Sequence, residues 1–300
     1  MIFQTESQLK EFGDKLSSYS LYPQANLLNA RVPQDVGQLN EKQIESNDED
    51  PLPYGFIDDR DVLWSKTVWE LIDLDERINF PYYYPTDTLN LGPDRRSLFH
   101  ILKNNLRNGN IKEVYDDDYF QIKLTYREIL DKLASIDTLD AGFEQLNAGE
   151  ELDPQYVNRR NITAREIRQY RVKGTWYFNK RQGELKYRLL GLSPVAPDVY
   201  TLDKPEAEQD LVELFWIWFP DARESLNTST VFNTRNSSQP ITYDHMLNSR
   251  RFNSIIYKEE NVYEDRLINE YIFEDALQQL LESERIKNVI RDFEQDMWNN

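Results

Sequence analysis

The chain has 300 residues, of which 39% are hydrophobic and 29% are charged, and its formal net charge is −18. A surface this acidic repels phosphate backbones and anionic lipid heads, so we expect neither a nucleic acid nor a membrane surface as primary partner. No stretch approaches the ~18 consecutive apolar residues of a membrane helix, so we expect no direct membrane insertion; the sequence holds no cysteine, which excludes disulfides and thiolate chemistry.

The first 52 residues differ in composition from the rest and predict an N-terminal arm or linker. Short apolar islands, among them Leu27 and Leu28, are separated by Gln, Asn, Ser and Asp, and an acidic run at 46–51 closes the segment. This composition favours a chain that is extended until a partner surface orders it. For residues 53–300 we predict a single α+β domain, with a helical region at the C-terminus from about residue 263.

Apolar spacing predicts two helices at the start of this domain. One would carry four apolar side chains on a single face: Trp64, Val68, Leu71 and Ile72. The other spans about 95–107, where Gly109 can end it.

Short strands and a capped helix are predicted next. Residues 111–115 and 119–124 resemble strands on either side of three consecutive aspartates. Thr125 and Glu128 form a capping box that opens a helix.

The clearest hairpin is predicted at about 172–179 and 184–191, after a second capping box at Thr163 and Glu166 that should start a short helix. Apolar and basic side chains alternate along it, so one face should be apolar and the other basic. A further apolar strand is predicted over residues 212–219.

The pattern over about 263–298 predicts a long helix with two apolar faces on opposite sides. One set comprises Phe273, Leu277, Leu280 and Leu281, and the other comprises Ile286, Val289, Ile290 and Phe293. Either the helix breaks near residues 282–285, or one half packs on its own domain and the other on another chain. The second set is therefore a candidate protein interface, together with Leu27 and Leu28.

We predict no catalytic, cofactor or metal site, and no enzyme. His100 and His245 have no histidine or cysteine companion at ligand spacing, which argues against zinc. Acidic clusters at 58–61, 73–76 and 116–118 resemble calcium or glycosidase carboxylates. A chain with 53 acidic residues is nevertheless expected to contain such clusters by chance. A glycan-binding or glycan-hydrolysing module, with tyrosines 82–84 beside neighbouring acids, remains the alternative.

Positive charge is concentrated between residues 159 and 188, which hold ten basic residues against two glutamates. On so acidic a molecule, this strip favours a surface for further copies of the chain or for an acidic partner over a nucleic-acid patch. Pairing with the chain's own carboxylates is the alternative that stays open. The candidate interface residues are Arg159, Arg160, Arg165, Arg168, Arg171, Lys173, Lys186 and Arg188.

Several long, tryptophan-rich strings carry a family resemblance. They are residues 26–30 (NLLNA), 58–66 (DDRDVLWSK), 68–70 (VWE), 73–81 (DLDERINFP), 170–178 (YRVKGTWYF) and 187–198 (YRLLGLSPVAPD). Together they resemble the GldN family, called PorN in oral species, of gliding-motility and type IX secretion proteins of Bacteroidetes.

The resemblance implies a periplasmic protein that forms a ring beneath the outer membrane with a GldK/PorK-like lipoprotein. It also implies contact with a GldM/PorM-like shaft, and it transfers no catalytic residue. Family members are made with a signal peptide. Because none is visible at the start of this sequence, we expect a mature chain.

Overall fold

An antiparallel sheet of seven strands organises the described part of the chain. The computed structural model describes residues 51, 53–87, 96–138, 145, 147, 153–202, 204–205, 209–231, 241–273 and 275–298. The arm before residue 51, with Leu27 and Leu28, lies outside the described residues. The predicted α+β class is confirmed, with a mixture of helices and antiparallel strands and a long helix at the C-terminus.

The strands of the described residues are β1 (Val62–Asp73), β2 (Val114–Tyr115), β3 (Ala134–Thr138), β4 (Val157–Asn161), β5 (Gln169–Asn179), β6 (Glu184–Pro197), β7 (Leu211–Glu213), β8 (Trp216–Trp218), β9 (Thr230–Val231), β10 (Ile241–Thr242) and β11 (Ile255–Glu259). The main sheet has the strand order β11-β1-β5-β6-β8-β2, and β7 pairs with β6 beside it. Two ribbons of two strands each, β3 with β4 and β9 with β10, stand apart from it.

Helices connect and cover these strands. They are α1 (Phe80–Tyr83), α2 (Leu98–Asn108), α3 (Tyr126–Leu133), α4 (Phe219–Asn227), α5 (Tyr243–Asn248), α6 (Ile268–Tyr271) and α7 (Ala276–Trp298). The predicted α2 is confirmed, with Ser97 as its N-cap and Gly109 in the left-handed conformation at its end. The capping box of Thr125 and Glu128 opens α3 as predicted.

The first predicted helix is wrong, because its residues form β1. This strand pairs with β5 along its whole length and with β11 over its second half. Val68 and Ile72 are buried on one face of the sheet, and Trp69 is buried on the other. A strand that is buried on both faces carries apolar residues at any spacing, so the helical pattern here was accidental.

The predicted hairpin is confirmed and is longer than expected. β5 and β6 pair along their length, and Gly183 takes φ +66° in the connecting turn, where glycine avoids strain. Its face with Trp176 and Leu185 packs on an apolar cluster, while Lys186 and Arg188 point to the other side, as the alternation predicts.

Three smaller predictions need correction. The stretch 119–124 forms no strand, only an isolated bridge from Tyr115 to Lys123, because the Asp117 carboxylate accepts hydrogen bonds from backbone amides and holds it as a loop. The Thr163–Glu166 hydrogen bonds form around a turn, and no helix follows them. The apolar strand over 212–219 is interrupted between β7 and β8.

The apolar core on one face of the sheet is divided into two clusters. The larger surrounds Ile72, Val172 and Leu192 under helices α2, α4 and α5. The smaller contains Val68, Ile256 and Ile268 with Ile286 and Ile290 of α7. The helix α7 is thus an integral part of the fold.

Candidate interaction surfaces

Intramolecular contacts occupy much of the basic strip. Arg171 pairs with Glu213, and its guanidinium lies 4.9 Å from the ring centre of Tyr257. Arg160 pairs with Asp137 across the β3–β4 ribbon at 3.1 Å. Arg168 also has an interaction partner. The alternative of internal pairing therefore holds for a large part of the strip.

Lys173 is buried in an aromatic cluster. Its ammonium group donates to the backbone oxygen of Asp118 at 2.9 Å and lies 4.6 Å from the ring centre of Trp69. Lys258 reaches the same loop, with 2.6 Å between Nζ and the Asp118 carboxylate. Burial lowers the pKa of Lys173. The two lysines fasten the loop after β2 to the sheet, so Lys173 is a structural residue and not an exposed interface cation.

Arg188 fixes the point where the N-terminal arm joins the domain. Its guanidinium donates to the Gly55 carbonyl at 2.8 Å and stacks over the Tyr54 ring at 4.9 Å. Arg223 lies over the same ring at 4.4 Å. The Tyr54 hydroxyl donates to Asn248 at 2.7 Å. The chain is therefore anchored to the domain at Tyr54 and Gly55.

The side chains of Arg159 and Arg165 remain exposed. Arg159 lies on β4 opposite Ile136, whose side chain is 68% exposed. Arg165 lies in the turn before β5, and its carbonyl accepts a hydrogen bond from the Tyr83 hydroxyl at 3.1 Å. Lys186 is partly exposed and 3.5 Å from Glu184 of its own strand. Few cations of the strip are therefore exposed enough to bind a partner.

The C-terminal helix is continuous, which rules out the alternative of a break near residues 282–285. Ile286 and Ile290 are buried in the smaller cluster, and Phe293 stacks on Trp64 at 4.8 Å between ring centres. These three residues therefore stabilise their own domain and are not free for a partner, contrary to the prediction. Val289 beside them is exposed.

The other apolar set of α7 faces outward. Phe273, Leu277, Leu280 and Leu281 are all exposed. One half of the helix thus packs on its own domain, as one alternative predicts, but the exposed half is the N-terminal one. Periodicity detects both faces of a helix and does not indicate which of them the domain covers.

A sequence model of the gliding motility associated protein GldN matches residues 57–299. The chain belongs to the GldN family. No curated protein matches the chain significantly. Family membership makes the chain a component of the gliding-motility machinery, consistent with a role in type IX secretion, and this is not a known family of enzymes. Among the described residues, no helix combines the length and apolar character needed to cross a bilayer.

Structural roles account for residues of two acidic clusters of this GldN-family chain, those at 58–61 and 116–118. Asp58 accepts from the Arg60 amide as an N-cap, and Asp61 pairs with Arg181 at 2.9 Å. Asp117 caps backbone amides of its loop, and Asp118 holds Lys258. Within the described ranges, no group of three or more His, Cys, Asp or Glu is arranged to hold a metal ion.

The tyrosines proposed as a glycan platform do not form one flat surface. Tyr82 is fully buried and packs against Tyr243 and Phe252, while Tyr83 is half-buried and Tyr84 exposed. Because Tyr82 is buried, these three rings do not form the platform that the glycan alternative proposes for them.

The pH dependence of the free energy of unfolding tests whether His100, on α2, is buried. Burial, together with Arg96 and Lys103, lowers the pKa of His100 below its usual value in the folded chain. The unfolded chain binds the proton more readily, so stability should fall as the pH drops through about 6.5. In H100N this contribution should vanish, which urea unfolding at several pH values between neutral and mildly acidic will show.

The matched control is H245N, since His245 lies exposed on α5. H245N keeps His100 and should therefore still lose stability as the pH drops. Equal pH dependence in H100N and H245N would contradict the burial assigned to His100.

Proposed function

We propose that this chain is a non-enzymatic structural subunit of the type IX secretion and gliding machine. It lies in the periplasm and forms a ring with a GldK/PorK-like lipoprotein, which attaches it to the outer membrane. The ring contacts a GldM/PorM-like shaft. The observation that carries the proposal is the GldN match over residues 57–299.

The attachment of the arm supports a role in wrapping a partner. Tyr54 and Gly55 are held by Arg188 and Asn248, so the chain before them starts from a fixed point. A segment tethered in this way binds a neighbouring surface at high effective concentration. We propose that the arm, including Leu27 and Leu28, contacts the lipoprotein.

Exposed positive charge supports assembly by electrostatic complementarity. Arg159 and Arg165 are exposed on a molecule with a net charge of −18. A small basic area on an acidic protein orients copies of that protein, or an acidic partner, toward one surface. Because these charges are solvent-exposed, the assembly should weaken with increasing salt.

The double variant R159E/R165E should assemble about tenfold or more weakly, since it places like charges opposite the acidic partner surface. Its thermal unfolding should be unchanged, because both side chains are exposed. Sizing of the complex over a salt series measures the effect. The control K112E/R127E reverses two other exposed cations and should assemble normally.

Co-purification tests the function itself. The full chain and the lipoprotein are produced together, isolated through a tag on the lipoprotein, and imaged. Ring-shaped particles that contain both proteins are expected. Isolation of the lipoprotein without this chain, while both are folded and abundant, would refute the proposed function.

A further inference from the structure

A second concentration of positive charge lies on and around the helix α2. Residues 95–112 contain five lysines and arginines and no carboxylate. Since 53 of the 300 residues are acidic, a stretch of 18 residues would hold about three carboxylates by chance. Asp94 and Glu113 flank the stretch, and Glu113 is paired with Lys123 at 2.7 Å. The charge of this stretch is therefore opposite to that of the whole chain.

Three basic side chains of α2 lie on one side of the helix. His100, Lys103 and Arg107 follow each other at intervals of three and four residues, which places them within about 60° of the helix circumference. We call these three residues the α2 basic face. On the other side of α2, Leu98 and Leu102 are fully buried in the larger core. The helix therefore holds the basic face in a fixed orientation, directed away from the core.

No carboxylate of the described residues pairs with the α2 basic face. Lys103 lies 6.0 Å from the ring centre of Phe99, at the limit of a cation–π contact. Burial alone lowers the pKa of Lys103, and burial together with Arg96 and Lys103 lowers the pKa of His100. A neighbouring carboxylate would raise both pKa values. Within the described part of the chain, these cations thus lack a compensating negative charge.

The helix α7 treats its cations differently. Arg285 pairs with Glu282 at 2.7 Å and Lys287 with Glu284 at 2.9 Å, each three residues apart on the helix. No position of α2 carries an acidic residue that could do the same.

This arrangement of charge is unfavourable for α2 itself. Like charges three or four residues apart repel each other and destabilise a helix. The helix dipole favours a cation in the last turn, which accounts for Arg107 but not for Lys103. Departures from local rules that have no compensation within the fold are typical of functional sites.

The number and spacing of the charges indicate the kind of partner. Anionic membranes are bound by clusters of about four to eight Lys or Arg, more than the two permanent charges of this face. The net charge of −18 also repels extended polyanions such as nucleic acids. Successive cations on the face are about one helical turn, ~5.4 Å, apart. Carboxylates on successive turns of an acidic helix have a similar spacing, so a short acidic protein segment is complementary to the face.

We propose that the α2 basic face binds a carboxylate-rich segment of another protein chain. Carboxylates of this segment pair with Lys103 and Arg107, and the exposed amide of Asn104 beside them donates a further hydrogen bond. The contact is separate from Arg159 and Arg165, on which the proposed assembly depends, so the two surfaces can be tested independently.

Peptide binding tests the proposal directly. Fluorescein-labelled hexaglutamate is titrated with the full chain at low ionic strength, and labelled hexaglutamine serves as the control peptide. The natural chain should bind hexaglutamate alone, with a Kd that rises as salt is added. The variant R107E should bind it about tenfold or more weakly, because the reversed charge repels the peptide.

Matched variants separate binding from folding. Arg107 is exposed, so the thermal unfolding of R107E should equal that of the natural chain. Because Lys103 is half-buried, K103Q removes its charge without introducing an opposite one, and it should also weaken binding. R159E/R165E reverses two cations elsewhere and should bind hexaglutamate as the natural chain does. Carbodiimide coupling of the bound peptide, followed by peptide mapping, should join it to Lys103.

Several results would overturn the proposal. They are the absence of hexaglutamate binding by the natural chain, equal binding by folded R107E and K103Q, and coupling only to lysines outside α2. Phosphatidylglycerol vesicles and a short DNA duplex are titrated in the same way. If either binds through Arg107 while hexaglutamate does not, the face recognises phosphates and the assignment to a protein segment is wrong. The proposed function is tested separately, by co-purification with the lipoprotein.

Discussion

Replacing Arg250 by alanine should lower the free energy of unfolding by about 3–5 kcal/mol, because it leaves the buried Glu70 carboxylate without its counter-ion. Glu70 is only 1% exposed. Its two oxygens accept from the Arg250 guanidinium at 3.0 and 2.7 Å, and Ser254 donates to the same carboxylate. The guanidinium also lies 4.2 Å from the ring centre of Tyr187.

Urea denaturation of R250A measures this loss. The double variant E70M/R250M replaces the ion pair by two apolar side chains and should lose much less stability, since neither charge remains buried alone. R165A provides a surface control, expected within about 0.5 kcal/mol of the natural chain. A loss below about 1 kcal/mol in R250A would contradict the burial of an isolated carboxylate.

The location of this pair suggests what it contributes beyond stability. On β1, Glu70 lies between Val68 of the smaller core and Ile72 of the larger core. A hydrogen-bonded ion pair between two apolar clusters disfavours a shifted strand register, because any shift would bury the charges unpaired. The pair thereby helps to fix the sheet on which α7 rests.

Local signals predicted the elements that depend on local contacts. The β5–β6 hairpin was predictable because alternation and a glycine turn specify it. The helices α2 and α3 were predictable from caps that lie within a few residues of their starts. For β1 the signal failed, since its burial on both faces arises from partners far away in the sequence.

The surfaces were harder to predict because exposure depends on tertiary contacts. Lys173 and Arg159 are both basic residues of one strip, yet one is enclosed by aromatic rings and the other is exposed. No short sequence motif distinguishes the buried basic residue from the exposed one. The sequence predicts Tyr83 only as part of a glycan platform, whereas its contact with the Arg165 carbonyl is a hydrogen bond between residues 82 positions apart.

The two sides of α7 should respond in opposite ways to the same pair of substitutions. I286A/I290A removes two buried side chains from the smaller core, whose few members leave little to fill the cavity. A loss of about 4 kcal/mol or more is expected for the pair. L277A/L281A truncates two exposed side chains on the same helix and should change stability by less than about 0.5 kcal/mol.

Thermal and urea unfolding of both variants measure the difference. If α7 were instead held by a partner through Ile286 and Ile290, the isolated chain would tolerate I286A/I290A as well as it tolerates L277A/L281A. A large loss in the isolated chain assigns Ile286 and Ile290 to the fold. Because α7 is then fixed by its buried side, the leucines on its other side are held in a defined position, which lowers the entropic cost of binding another surface.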